Sequence, residues 1–216
     1  MKTIRIFLST FIFLFSISAV GQQKTKPLIL KYDLMSLLGD KVTNSMGIQL
    51  GLEKFISSSI SLSVDAMYIF PCSCCGKPYT GITTESTKGV SASTGARYYS
   101  SKKADTPEGL YFGPLFSFLH TRSEMWEASD VSGENLYMVY RDLFSAHVMA
   151  GYQLRITGPL YFDPSIGLGT RFISSRNDNK VGTDSGQHEY LYDKDFESGS
   201  KWFPSLNISI KIGLKI

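Results

Sequence analysis

Beyond its amino-terminal segment the chain has no apolar run long enough to cross a membrane as a helix, since polar or charged residues break every later apolar stretch within a few positions. If this part of the chain spans a bilayer, it does so with strands. Charge of one sign is also scarce: 22 Lys and Arg face 19 Asp and Glu, a net +3. With no basic cluster interleaved with aromatics, nucleic acid is excluded as a partner. There is no long Ala-, Glu-, Lys- or Leu-rich segment, which removes helical bundles from consideration. Cysteine and histidine are rare, three of each. A zinc site beside Cys72, Cys74 and Cys75 would need a fourth ligand that is not nearby in sequence, so neither a metal nor another cofactor is expected.

What the chain does have is β-forming: 12 Tyr, 14 Phe and 19 Gly among many Ser and Thr. At the start, Lys2 and Arg5 precede the apolar run "IFLSTFIFLFSISAV", which ends at the small residues Ala19 and Gly21. That order reads as a secretory signal peptide over 1–21, leaving 22–216 as one β-barrel domain with Gln22 at its mature terminus.

The closing stretch "SLNISIKIGLKI" sets Leu206, Ile208, Ile210, Ile212, Leu214 and Ile216 against Ser205, Asn207, Ser209, Lys211, Gly213 and Lys215. A period of two means a strand with one apolar and one polar face. The same scheme holds in "SISLSVDAMYIF", "SAHVMAGYQLRI" and "GPLYFDPSIGLGTRF", and less cleanly over 28–38, 44–53, 88–100 and 110–120. Eight strands are therefore expected. The connections alternate in length: modest near 39–43, tight at "FISSS", long over 71–87, short at "SKKADTPEG", long over 121–140, tight at "TGP" and longest over 174–202. In an up-and-down barrel this rhythm puts the long loops on one rim, as in outer-membrane barrels.

A secreted soluble barrel holding an apolar ligand would alternate in the same way, but with its apolar face inward. Here the polar parity is rich in Gly and Ser and carries mutually neutralising charges at Lys31, Asp33, Glu53, Asp65, Arg97, Arg155, Asp163, Arg171, Lys211 and Lys215. Small residues and paired charges suit a narrow barrel interior, with Lys215 at its interior or its mouth. Aromatics near strand ends read as two interfacial girdles: Tyr68, Phe70, Tyr98, Tyr99, Tyr111, Phe112, Tyr161, Phe162, Phe172, Trp202 and Phe203. Pro114 and Pro164 fall inside expected strands and are read as strand-start features.

The segments "EGLYFGPLFSF", "AHVMAGYQLRITGPLYFDPSIGLGTRF" and "SLNISIKIGLKI" resemble the small eight-stranded outer-membrane β-barrel proteins of Gram-negative envelopes, similar in plan to the OmpA transmembrane domain and OmpX, in a branch of unknown function. The resemblance implies an all-β, antiparallel, monomeric barrel in the outer membrane, surrounded by its lipid and delivered by the barrel-assembly machinery. That machinery commonly reads a terminal aromatic residue; this chain has Ile216, which keeps the apolar parity.

Three local features invite a chemical reading. In "FPCSCCGKPY" an oxidising compartment favours a disulfide between Cys72 and Cys75, leaving Cys74 as a free thiol. Ser145 and His147 share a face two residues apart, a spacing at which a base can activate a hydroxyl, as in a lipid A deacylase-like enzyme. They fall on the polar, inward parity, so no catalytic residue is expected, and His120 and His188 are given no role. The connections at 121–140 and 174–202 are mildly acidic and suit a surface partner. The expected protein is a non-enzymatic envelope barrel whose long loops serve integrity or recognition.

Overall fold

The computed structural model describes residues 26–38, 45–72, 82–100, 108–129, 133–178 and 198–216, except the side chains of 82–85, 126–129 and 133–136. The leader expected at 1–21, Cys74, Cys75 and His188 lie outside them. Where the sequence alternates, the chain is extended: β1 (Leu28–Asp33), β2 (Ser45–Phe55), β3 (Ile60–Pro71), β4 (Ile82–Tyr99), β5 (Gly109–Ser129), β6 (Gly133–Thr157), β7 (Leu160–Asp178) and β8 (Gly199–Lys215). Each strand pairs antiparallel with the next, and β8 returns to β1, so the eight close into an up-and-down barrel. Closure removes free sheet edges.

The strand directions give the barrel two unlike ends. At the turn end, β2 and β3 are joined through 56–59, where Ser57 Oγ accepts the Ile60 and Ser59 N–H groups at 3.0 and 3.3 Å. At the same end β6 and β7 are joined at Gly158 and Pro159, and the turn holds Gly158 at φ 50°, a backbone state that suits glycine. The opposite, loop end takes the connections after β1, β3, β5 and β7.

Strand lengths there differ from the sequence expectation. The connection expected over 121–140 is mostly strand, because β5 continues to Ser129 and β6 starts at Gly133. Likewise β4 begins at Ile82 and β7 runs to Asp178, while β1 stops at Asp33 and gives way to a 3-10 turn over Met35–Leu37. The result is a tall wall formed by β4 to β8, with strands of 17 to 25 residues, beside a low wall formed by β1 to β3, with 6 to 12.

The apolar parity points out. Leu206 and Ile208 are 58 % and 52 % exposed, and Val148 and Leu168 about 70 % each. The polar parity points in: Glu53, Asp163 and Gln153 are fully buried, and Lys31, Asp33, Asp65 and Lys211 nearly so. Four of the aromatics expected in girdles have the inward parity instead: Tyr99, Tyr111 and Tyr161 are buried with Ile29 and Phe55 as an apolar floor at the turn end, and Phe203 is half-buried opposite Arg171 nearer the loop end. Their neighbours Tyr98, Phe112 and Phe162 have the other parity, and Tyr98 and Phe112 are exposed outside.

Pro114 and Pro164 sit well inside β5 and β7, and their effect is local. The β4–β5 ladder lapses at Ala96 and Arg97, opposite Pro114 and Gly113, and resumes in the same register at Tyr98 and Phe112. The β6–β7 ladder lapses in the same way at Tyr152 and Gln153, opposite Pro164 and Asp163. A proline has no N–H to give, so pairing fails beside it. Both gaps flank the residues that carry the barrel's main ion cluster.

Candidate functional site: the polar lumen

Inward-pointing side chains from opposite walls of a narrow barrel meet across its axis. Just above the apolar floor, Lys31 from β1, Glu53 from β2, Arg97 from β4 and Asp163 from β7 form one cluster. Lys31 Nζ pairs with Glu53 Oε2 and, at 2.5 Å, with Asp163 Oδ2. Arg97 reaches Asp163 Oδ2 at 2.7 Å and Glu53 Oε2 at 3.5 Å. Two cations thus face two carboxylates, which removes the need for a counter-ion.

The remaining hydrogen-bonding capacity is also used. Tyr99 donates to Glu53 Oε1 at 2.7 Å, Tyr111 to Asp163 Oδ1 at 2.6 Å, and Ser61 to Glu53. Lys31 also donates to Gln153 Oε1 at 2.5 Å, and the Arg97 guanidinium lies 4.3 Å from the Tyr111 ring centroid. Gly151 makes the space for that ring, since a β-carbon there would collide with the Tyr111 phenol. A buried charge needs such complete partnering, because one left unpaired costs several kcal/mol, on the order of 3–5. Chemically the cluster is a plug.

Toward the loop end the lumen opens into a cavity of about 300 Å³ lined by serines, Gln49, Asn207, Met67 and Met149. Its charges are Asp33, which accepts the Ser209 hydroxyl at 2.6 Å, and Asp65, which pairs with Lys211 at 2.6 Å and accepts Ser93 at 3.2 Å. Such a lining, with its serines and paired charges beside Met35, Leu115 and Ile208, suits water or a small polar solute.

Of the charges expected inside, Lys31, Asp33, Asp65, Arg97, Asp163 and Lys211 line this lumen, together with Glu53. Arg171 is half-buried higher in β7, its guanidinium 5.6 Å from the Phe203 ring centroid. Arg155 is exposed at the turn end, which corrects the expectation: it stays in register opposite Tyr161, and its Nε donates to the Gly158 carbonyl of the β6–β7 turn at 2.7 Å. Lys215 is exposed beyond the last inward turn of β8.

The pair Ser145 and His147 does not join. Ser145 Oγ is 2.5 Å from Ser117 Oγ, while His147 Nε2 is 2.9 Å from Ser205 Oγ on β8. Both face the lumen, and among the described residues His147 Nδ1 has no carboxylate behind it to orient the ring. That arrangement lacks the third member of a nucleophilic relay. Cys72 is buried and disulfide-bonded. Its partner is Cys74 or Cys75, both outside the described residues.

Tyr99, Tyr111 and Gln153 complete the plug and were not singled out for it by sequence. Their inward parity was the available signal.

No family model matches the chain, and no curated protein matches it. Among solved structures it is similar to Acinetobacter baumannii CarO2, at 12 % identity and TM-score 0.45, with 90 % of this chain and 99 % of that one covered. It is also similar to CarO of the same organism, at 11 % identity and TM-score 0.42, with 91 % and 99 % covered.

Proposed function

We propose that this chain is a monomeric, non-enzymatic outer-membrane β-barrel, similar in plan to the small OmpA- and OmpX-like proteins, with the turn end in the periplasm and the loop end outside. The observation that carries the reading is the inside-out surface: a continuous band of exposed Leu, Ile, Val and Phe surrounds a lumen of paired charges. In water such a band is a large aggregation liability; in a bilayer it is the expected exterior.

The plug supports a structural and recognition role over transport, because four ionic and two phenolic groups close the lumen near its turn end. The lumen-facing Ser and His side chains argue against lipid A deacylation, and the charged lumen argues against apolar-ligand carriage. Barrel-assembly machinery would insert the chain, and a surface partner would meet its tall wall and loops. Fractionation with heat-shift electrophoresis tests this: the protein should stay in alkali-washed outer membranes and migrate faster unheated than boiled. A soluble protein of constant mobility would overturn the reading.

A further inference from the structure

The outer face of the tall wall carries a charged row that neither the plug nor the apolar band uses. Across the strands, Lys88 on β4 pairs with Arg122 on β5, Arg122 with Tyr140 on β6, and Tyr140 with Arg176 on β7. All four have the outward parity, and the three cations are exposed. The Arg122 and Arg176 guanidinium groups lie 5.8 and 5.2 Å from the Tyr140 ring centroid, so one ring holds both from opposite sides. The phenol and the cations then face the same outer surface.

Four residues nearer the barrel middle, roughly 13 Å along the strands, is a row of rings. Phe118 packs against Phe144 at 4.7 Å and Phe172 against Trp202 at 5.1 Å, both pairs tilted, while the ladder puts Phe144 beside Phe172. Between the rows, His120 and Asp142 satisfy each other at 2.6 Å. The other nearby carboxylates are also engaged, Glu124 by the Ser86 hydroxyl at 2.9 Å and Asp178 by Arg176 at 3.6 Å. Lys88 and Arg122 have no carboxylate partner among the described residues. On the low wall the corresponding outer ends of β2 and β3 show Met46, Ile48, Tyr68 and Phe70 and no cation.

We propose that Lys88, Arg122 and Arg176, with Tyr140, seat a phosphate group of an outer-leaflet glycolipid whose acyl chains lie on the Phe118–Phe144–Phe172–Trp202 rings. This rests on the outer-membrane reading. A cation row matches any anion, but a cation row one girdle above an exposed aromatic platform matches an anion attached to hydrocarbon. An acidic peptide would make no use of the rings, and free phosphate would make none either.

The test uses the full chain reconstituted in phosphatidylcholine vesicles, probed with bisphosphorylated lipid A, dephosphorylated lipid A and inorganic phosphate. The parent should retain bisphosphorylated lipid A at least about tenfold better than the dephosphorylated form, as charge-assisted bonds imply, and inorganic phosphate should not displace it. The triple variant Lys88→Gln, Arg122→Gln, Arg176→Gln should lose that preference, while Lys54→Gln, exposed at the other end of the barrel, should keep it. Equal retention of the two lipids by the parent, displacement by inorganic phosphate, or an unchanged preference in the triple variant would overturn the proposal. If the parent inserts with its heat shift yet shows no preference, only the glycolipid site fails; if it does not insert, the outer-membrane reading falls too.

Discussion

Replacing Leu168 with arginine separates a barrel in lipid from a barrel in water. Leu168 is 69 % exposed and lies in the outward row Val148, Leu168, Leu206. Along β7, Phe172 is four residues away toward the loop end and Phe162 six toward the turn end. At about 3.3 Å per residue and a strand tilt near 40°, the aromatic limits are roughly 10 and 15 Å from Leu168 along the barrel axis. Their sum is close to the apolar height of an outer-membrane barrel, about 25 Å, and Leu168 falls near its middle.

An arginine at that depth in lipid costs about 2–4 kcal/mol. On a water-exposed surface the same change stays within about 0.5 kcal/mol. Urea-driven unfolding from vesicles, followed by the heat-shifted band on gels, should show Leu168→Arg with a midpoint roughly 1–2 M below the parent, taking a denaturant slope of about 2 kcal/mol per molar. Ser174→Arg, on an outward position closer to the loop end, should lose no more than about 1 kcal/mol. Equal, negligible losses at both positions would refute the claim that this face meets hydrocarbon.

Asp163→Asn keeps the shape of the side chain but leaves Lys31 and Arg97 sharing one carboxylate; a loss of about 3–5 kcal/mol is expected in the same assay, and one below about 1 kcal/mol would show that the cluster does not hold the barrel closed. Planar-bilayer recording of the intact chain should show no steady conductance, since Lys31, Glu53, Arg97 and Asp163 fill the lumen; a stable open current would mean the plug leaks. Mass mapping of non-reduced protein after alkylation should find one modified cysteine among Cys72, Cys74 and Cys75, with Cys72 protected; modification of Cys72 would contradict its disulfide.

How far the sequence carried differs by feature, for physical reasons. Which face points out was readable at Leu206 through Ile216, because the side-chain period of a strand is fixed by backbone geometry alone. The tall wall was hidden because in "TRSEMWEAS" and "ENLYMVYRD" the outward positions Arg122, Glu124 and Asp142 stand where lower rows have Phe and Leu. Their inner face is apolar at Met125, Tyr137 and Val139, which are buried together, so the apolar-out, polar-in alternation of the lower rows is missing and such strands look like loops. The inward parity of Lys31, Glu53, Arg97 and Asp163 was plain, yet their meeting was not, since it depends on the stagger between β1, β2, β4 and β7. That stagger is a property of the closed barrel and has no local sequence signal. Tyr99 and Tyr111 were assigned to girdles because they adjoin Tyr98 and Phe112; a shift of one residue reverses the face.

The unequal walls also decide what a binding molecule would encounter at the loop end. From Phe144 to Gly133, β6 continues for eleven residues beyond the aromatic row, roughly 36 Å of strand, held on one side by β5 throughout and on the other by β7 as far as Met138. If the loop end lies outside the cell, as proposed, a binding molecule there is offered a laddered sheet. An epitope on that sheet is conformational and depends on barrel closure. It should survive trimming of the connections at 73–81 and 179–197 and vanish when the barrel unfolds.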